Sequence, residues 1–433
     1  MPREISHQIS ISIDRKLSGL SNTTSNQQFI FKVHDGLRSH KNEAYEPKVL
    51  SIGPFHHGKP KLKKMEMHKL RYLKELLGRR GETNAHRYII ALTEFEDHAR
   101  KYYAEEEISR ISKKGFVEMM FLDGCFVIEF LRKNFKPELQ NGNDTIFQME
   151  WLSSNIMTDL ILFENQVPFF ILDKLYDMTK LPDERGNLID LAYCLCDNLG
   201  FPKGCYSSIP ANEDIIHLLD LVHKSLCSSF AEKLTTMNDS AANDDFSLEV
   251  VKSTSELQQS GIHFEAVKPG QNQSWLDITF EHGKMKIPSL KIMDETESVF
   301  RNLIAYEQYI LKSWSCISDY ALFLDHLIDS PRDVEKLRHR QIISNWLGDD
   351  EAVSTMFNKL CNDVAVDESM FCYTGVFKKV NKYSRKRRNK WRAHLMRNYF
   401  NSPWSIISFL AALVLLILTV VQTIFSILQY TKQ

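Results

Sequence analysis

The sequence predicts a mainly α-helical globular protein with one small antiparallel β-sheet, an α+β chain that ends in a single C-terminal transmembrane helix. Three observations predict this. Apolar residues recur at helical spacing along most of the chain. Between residues 262 and 292 the pattern changes to short, alternating runs rich in β-formers. Near the end, Ile406–Leu428 carries no charge, and roughly 20 such residues suffice to cross a hydrocarbon core.

Composition is consistent with a folded chain of this kind. Of 433 residues, 43% are hydrophobic and 25% charged, so a large core can form and global disorder is excluded. The net charge of −1 gives no overall field for nucleic acid. Eight cysteines, mostly with apolar neighbours and without a C-x-x-C, read as buried thiols.

In chain order, residues 1–28 read as a flexible polar tail and 29–377 as one globular domain. Phe29–Ser39 is a short amphipathic segment. Tyr45–Gly58 is punctuated by proline and glycine and reads as an ordered loop. Leu62–Arg80 reads as a helix whose apolar face is Met65, Leu70, Leu73 and Leu77. Ala85–Ala104 and Phe116–Phe135 follow, the second apolar enough to be central. Trp151–Leu175 is helical with a polar break, and Pro168 places a kink or helix end there because it lacks an amide donor.

Leu188–Leu199 and Ile215–Phe230 continue the helical pattern. Strands are predicted at Ile262–Val267, Leu276–Phe280 and Met285–Ile292, with Glu281-His-Gly283 as a hairpin turn. Helices return at Ser298–Leu311, Ser318–Ile328, Pro331–Leu347 and Glu351–Cys361. A final helix starts at Phe371 and runs, with interruptions, toward Phe400.

The anchor spans 403–430 and leaves a short tail at 431–433. Pro403 suits a helix start, and Trp404 and Tyr430 bracket Ile406–Leu428 as interfacial aromatics. A basic juxtamembrane segment, 378–402, precedes it and includes Arg385, Lys386, Arg387 and Arg388. By the positive-inside rule the body is then cytosolic. The same cations are positioned for anionic lipid. The N-terminus lacks the apolar core of a secretory signal, so C-terminal, tail-anchored insertion into the plasma membrane or an endomembrane is expected.

Several segments resemble a plant family known as domain of unknown function 247. They include Tyr45-x-Pro47 with Ser51-Ile-Gly53-Pro54-Phe-His56-His57-Gly58, and Met65-Glu66-x-His68-Lys69. Leu122-Asp123-Gly-Cys-Phe126 and Leu162-Phe-Glu164-Asn165-Gln166-Val-Pro-Phe169 follow. Further blocks are Asp277-Ile-Thr-Phe280, Ile287-Pro288, Arg301-Asn-Leu-Ile-Ala-Tyr-Glu307-Gln308, Phe323-Leu-Asp-x-Leu-Ile328 and Tyr399-Phe-x-x-Pro-Trp404. The chain departs from the family at Val33-His34, where Val-Pro is usual, and at Thr279, where Lys is frequent. The resemblance implies a plant protein with one C-terminal span. For some grass members it implies a pollen-side role in self-incompatibility.

The residues with chemical potential allow two readings. His56, His57 and His68 with Glu66 form a possible metal set, but histidines in a Gly-Pro loop more often bond backbone. Glu164 and Glu307 are a possible acid–base pair; alternatively they, with Asn165, Gln166 and Gln308, are buried polar groups satisfied internally. Asp123, beside Gly124 and Cys125, reads as a helix-interior polar contact rather than as half of a nucleophile–acid pair. No cofactor signature occurs: neither nucleotide loops, nor G-x-S-x-G, nor H-E-x-x-H. The function expected is noncatalytic protein recognition or signalling at a membrane. The alternative is an unrecognised membrane-bound enzyme using the His56–His57 loop with Glu164 or Glu307.

Overall fold

The computed structural model describes residues 2–19, 28–104, 108–142, 144–181, 184, 186–201, 214–238, 251–267, 274–310, 315–386 and 403–430. Arg387 and Arg388 of the basic run lie outside these, as does Cys205. The chain is mostly helical with a few short strands, as its periodicity requires. Two compact units divide it where the sequence suggests one domain. The first comprises Met1–Asn198 with Ile209–His223, the second Leu199–Ser208 with Lys224–Gln433.

The first unit contains α1 (Pro2–Gly19), α2 (Asp35–His40), α3 (Lys63–Arg79), α4 (His86–Arg100), α5 (Lys113–Phe135), α6 (Thr145–Gln148), α7 (Glu150–Asp159), α8 (Phe169–Thr179), α9 (Leu188–Ala192) and α10 (Cys194–Asn198). Within the polar N-terminal segment, α1 exposes Ile5, Ile9, Ile11 and Ile13. Helix α5 is central, as its apolar sequence predicts. It is buried over most of its length and packs against α3, α4 and α8.

Helix α3 turns a different face inward from the one predicted. Met65, Lys69, Tyr72 and Leu76 are buried, whereas Leu70 is exposed. A buried lysine holds the helix in that rotation, for reasons given below. The break before Pro168 is where the sequence places it. Helix α7 ends at Asp159, and Pro168 is the N-cap of α8, where no amide donor is needed. His34, the departure from Val-Pro, caps α2: its Nδ1 accepts from the Gly36 amide at 3.1 Å.

Helix α11 (Leu218–Asn238) begins in the first unit and ends in the second. The second unit continues with α12 (Thr254–Gln259), β1 (His263–Val267), β2 (Thr279–Glu281), β3 (Lys284–Pro288) and β4 (Leu290–Ile292). Then come α13 (Thr296–Ile310), α14 (Cys316–Leu327), α15 (Pro331–His339), β5 (Ile343–Asn345), α16 (Asp350–Leu360), α17 (Thr374–Ser384) and α18 (Pro403–Tyr430). Trp275 is its largest fully buried side chain, packed against Phe201, Phe300 and Tyr320.

The β2–β3 hairpin is antiparallel and turns at Glu281-His-Gly283 as predicted, with positive φ at His282 and Gly283. The sheet as a whole is mixed, because β1 adds to the other edge of β3 in parallel. The run expected as one strand, Met285–Ile292, divides at Ser289. Its second half, β4, pairs in parallel with β5 in a separate two-stranded sheet.

Strand β5 lies inside the predicted helix Pro331–Leu347. Helix α15 stops early because its end forms a Schellman motif. Ile342 N donates to Leu337 O at 3.0 Å and Gln341 N to Arg338 O at 2.9 Å, with Gln341 at φ 59°. The left-handed residue is glutamine, so the usual glycine signal is missing from the sequence.

Helix α18 contains the one helix segment among the described residues long and apolar enough to cross a membrane, Ile407–Leu428, none of it buried by protein. Its two threonine hydroxyls are satisfied within the helix. Thr419 Oγ1 donates to Leu415 O and Leu416 O at 3.0 and 2.8 Å, and Thr423 Oγ1 to Thr419 O at 2.7 Å.

Candidate functional site

The loop Tyr45–Gly58 passes over the first unit, and side chains from distant elements supply acceptors for its amides. At the C-terminus of α7, Asp159 accepts from three consecutive amides: Lys48 at 2.9 Å, Val49 at 2.8 Å and Leu50 at 2.8 Å. Asn165 continues the series. Its Oδ1 accepts from Ile52 N at 2.7 Å, and its Nδ2 donates to Leu50 O and Asp159 O. Asp123, on α5, accepts from Gly53 N at 2.8 Å through Oδ2. An extended segment with no strand partner therefore has its buried amides satisfied by side chains.

Charge balance explains Lys69. Its ammonium is fully buried and donates to Asp123 Oδ1 at 2.6 Å and to Ser51 O at 2.7 Å, with Glu66 also 2.7 Å away. Burial pushes the Asp123 carboxyl up, against the lowering effect of Lys69 and the Gly53 amide. The pair ties α3, α5 and the loop together at one point.

Glu164 is the second knot. It accepts from Val33 N at 2.7 Å and from the Arg38 guanidinium. His56 lies between two carboxylates, with Nε2 3.2 Å from Glu164 Oε2 and Nδ1 3.8 Å from Glu46 Oε2. Burial raises the Glu164 carboxyl, but His56, Arg38 and the Val33 amide outweigh it, leaving it below the usual range. Glu46 is held low in the same way: burial opposes, while Lys59, His56 and Lys61 prevail.

Gln166 completes the frame. Its Nε2 donates to Leu160 O and Leu162 O, its Oε1 accepts from Leu219 N at 3.3 Å, and its carbonyl accepts from Tyr103 Oη at 2.9 Å. That carbonyl also lies against Gly53, where a Cβ would fall 2.4 Å from it. With φ +72°, Gly53 answers both a conformational and a steric need.

The sequence-predicted residues thus divide. Ser51, Gly53, Pro54, His56, Asp123, Glu164, Asn165 and Gln166 come together and are buried. Glu66 reaches the group's edge through Lys69. His57 is exposed, and His68 is half-buried. Among the described residues His56, His57, His68 and Glu66 do not converge on a common metal position.

Glu307 and Gln308 belong to the second unit. Glu307 accepts from Ile317 N and Ser318 N, both at 2.8 Å, and from Ser318 Oγ at 2.6 Å, so it holds the first turn of α14. Gln308 exchanges a reciprocal pair of bonds with the Ala365 backbone.

Sequence reasoning missed Asp159, Lys69, Arg38 and Glu46. Lys69 had a signal: it sits on the same helical face as Met65, Tyr72 and Leu76, where a cation needs a carboxylate. Asp159 had none, since its partners are backbone amides over a hundred residues away.

Residues 30–418 match the profile of a family described as "Plant protein of unknown function". An Arabidopsis thaliana protein, "UPF0481 protein At3g47200", is 32% identical over 93% of this chain and 86% of its own length. A second, "Putative UPF0481 protein At3g02645" from the same plant, is 23% identical over 91% of this chain and 89% of its own. No solved structure matches.

Proposed function

The chain belongs to the plant family of domain of unknown function 247, and from that premise we propose that it is a noncatalytic, membrane-tethered recognition protein. The observation that carries this reading is the engagement of its polar motif residues. Glu164 and Asp123 accept hydrogen bonds from the protein's own backbone and cations. Glu307 does so with the amides of α14. A general acid or base must reach a substrate proton, whereas Glu164, Glu307 and His56 are each buried.

On this reading α18 holds the body at a bilayer surface. The basic run before it favours a cytosolic body and contact with anionic lipid, and Arg385 and Lys386 are exposed in keeping with that role. Binding energy would come from surface side chains of the kind that dominate interfaces, such as the exposed Trp151 and Trp346. The self-incompatibility role implied by the resemblance has no feature of this chain behind it.

Proximity labelling in plant cells tests the proposal, comparing the full chain with a variant truncated before Pro403. A reproducible set of protein neighbours, lost on truncation and thinned by Trp151→Ala or Trp346→Ala, is expected. Absence of reproducible neighbours would refute recognition. Protease protection on sealed vesicles tests topology: a body protected inside the vesicles would refute the cytosolic assignment.

A further inference from the structure

A groove in the second unit has no role in the recognition reading. It lies where α12 packs beside α15 and opens onto the start of β1, with a volume of about 390 Å³. Ser255 and Gln258 come from α12 and His263 from β1, while Arg332, Lys336 and Arg340 come from α15 and its C-cap. Among the described residues no carboxylate lines it.

The cations are arranged at i, i+4 and i+8, one above another on one helix face. Like charges so spaced repel, and Arg332 stands in the first turn, where the helix dipole disfavours a cation. Among the described residues the acids of this helix and Asp350 have other partners. Asp333 is buried and accepts from Ser255 and from Ser330. Glu335 pairs with His339, and Asp350 with Arg338. Among the described residues neither the Arg332 nor the Arg340 guanidinium has a hydrogen-bond or ion-pair partner, whereas Lys336 Nζ donates to Ser255 Oγ at 2.7 Å.

The two walls are tied to each other. Asp333 ties α12 to α15 through the Ser255 amide at 2.7 Å. Both helices end in Schellman motifs, at Gly261 and at Gln341. Such an open, largely polar groove, whose formally charged side chains are all cations, fits a compact, hydrophilic polyanion. Its volume is that of a small-molecule site, and guanidinium forks match phosphate oxygens.

We infer that the groove of Ser255, Gln258, His263, Arg332, Lys336 and Arg340 binds a multiply phosphorylated polyol of the inositol-phosphate type, either free or as a lipid headgroup. Lys336, already oriented by Ser255, supplies a fixed charge at the centre. Arg332 and Arg340 close on the ligand from either end.

Calorimetric titration of the full chain in phosphatidylcholine nanodiscs with inositol hexakisphosphate tests this. Saturable, salt-sensitive binding is expected. Arg332→Gln and Arg340→Gln should each weaken it at least about tenfold, with Arg→Lys at the same positions retaining part of the affinity. Both residues are exposed, so melting of the variants should match the parent. Lys64→Gln with Lys74→Gln, exposed cations of α3, should leave binding intact. Nanodiscs carrying phosphatidylinositol bisphosphate distinguish the sources: competition with the soluble ligand assigns the headgroup, and no competition assigns the free polyol. Absence of saturable binding, equal binding by the Arg332→Gln/Arg340→Gln variant, or equal affinity for an acidic peptide would overturn the inference.

Discussion

Gly53→Ala is the sharpest perturbation of the loop, and Gly58→Ala is its internal control. Both glycines have positive φ, +72° and +77°, so an alanine costs about 1–2 kcal/mol at either from backbone conformation. They differ in surroundings. At Gly58 nothing lies within 4 Å of the added Cβ, whereas at Gly53 the Cβ would sit 2.4 Å from Gln166 O. Gln166 is held by its own hydrogen bonds and by Tyr103, so the loop must give way. A retreat of about one ångström, which restores ordinary contact with Gln166 O, stretches the 2.8 Å bond from Gly53 N to Asp123 beyond useful length. One buried donor then loses its acceptor, at about 1–3 kcal/mol. Gly53→Ala should therefore cost about 2–5 kcal/mol and Gly58→Ala about 1–2 kcal/mol. Urea unfolding of the detergent-solubilised chain reads the totals, and hydrogen exchange at residues 48–53 reads the location. Equal costs at the two sites, or unchanged protection of the Ile52 and Gly53 amides, would refute the close-approach argument.

Lys69→Met leaves Asp123 buried without its cation and should destabilise by about 3–5 kcal/mol. Adding Asp123→Asn should cost less than the sum of the single changes, measured as a double-mutant cycle on the melting transition. Burial pushes the Asp319 carboxyl up to about 7, against the Cys372 amide that it accepts at 2.7 Å. The folded chain therefore keeps a proton that the unfolded chain releases near 3.8, and stability falls as pH rises through about 4 to 7. Asp319→Asn should flatten that slope, by on the order of 4 kcal/mol across the window, read by denaturation at a series of pH values; a slope identical to the parent's would refute the assignment. Truncation before Pro403 should move the protein from an alkali-resistant membrane pellet to the soluble fraction, and retention in the pellet would remove α18 from its role as anchor.

Legibility from sequence followed the range of the interactions. Helix α5, the break at Pro168 and the Glu281–Gly283 turn were legible because neighbouring residues determine them. The end of α15 was not, because Gln341 adopts a conformation usually marked by glycine. Nor was the parallel pairing of β1 with β3, since alternation predicts a strand but not its partner. Within the site, Glu164, Asn165 and Gln166 were visible as polar groups inside an apolar run, which must find partners. Their partners were invisible, because a backbone amide leaves no mark in composition. The rotation of α3 shows the same limit. Counting apolar residues favours Leu70, but burying Lys69 with Asp123 decides the face.

The amide–side-chain bonds of the motif loop also bear on the order in which the chain acquires structure. They join residues separated by 70 to 113 positions, from Gly53–Asp123 to Ile52–Asn165. Closing a loop of about 110 residues costs on the order of 4 kcal/mol of chain entropy before any contact forms, and no single hydrogen bond repays that. Closure becomes favourable only when several ties form together. Residues 46–57 therefore wait, during synthesis, for Asp159–Gln166 to emerge and then lock in one late, cooperative step. Until that step their unpaired amides are open to the wrong acceptors, so chaperone dependence should centre on this early-made, late-secured segment.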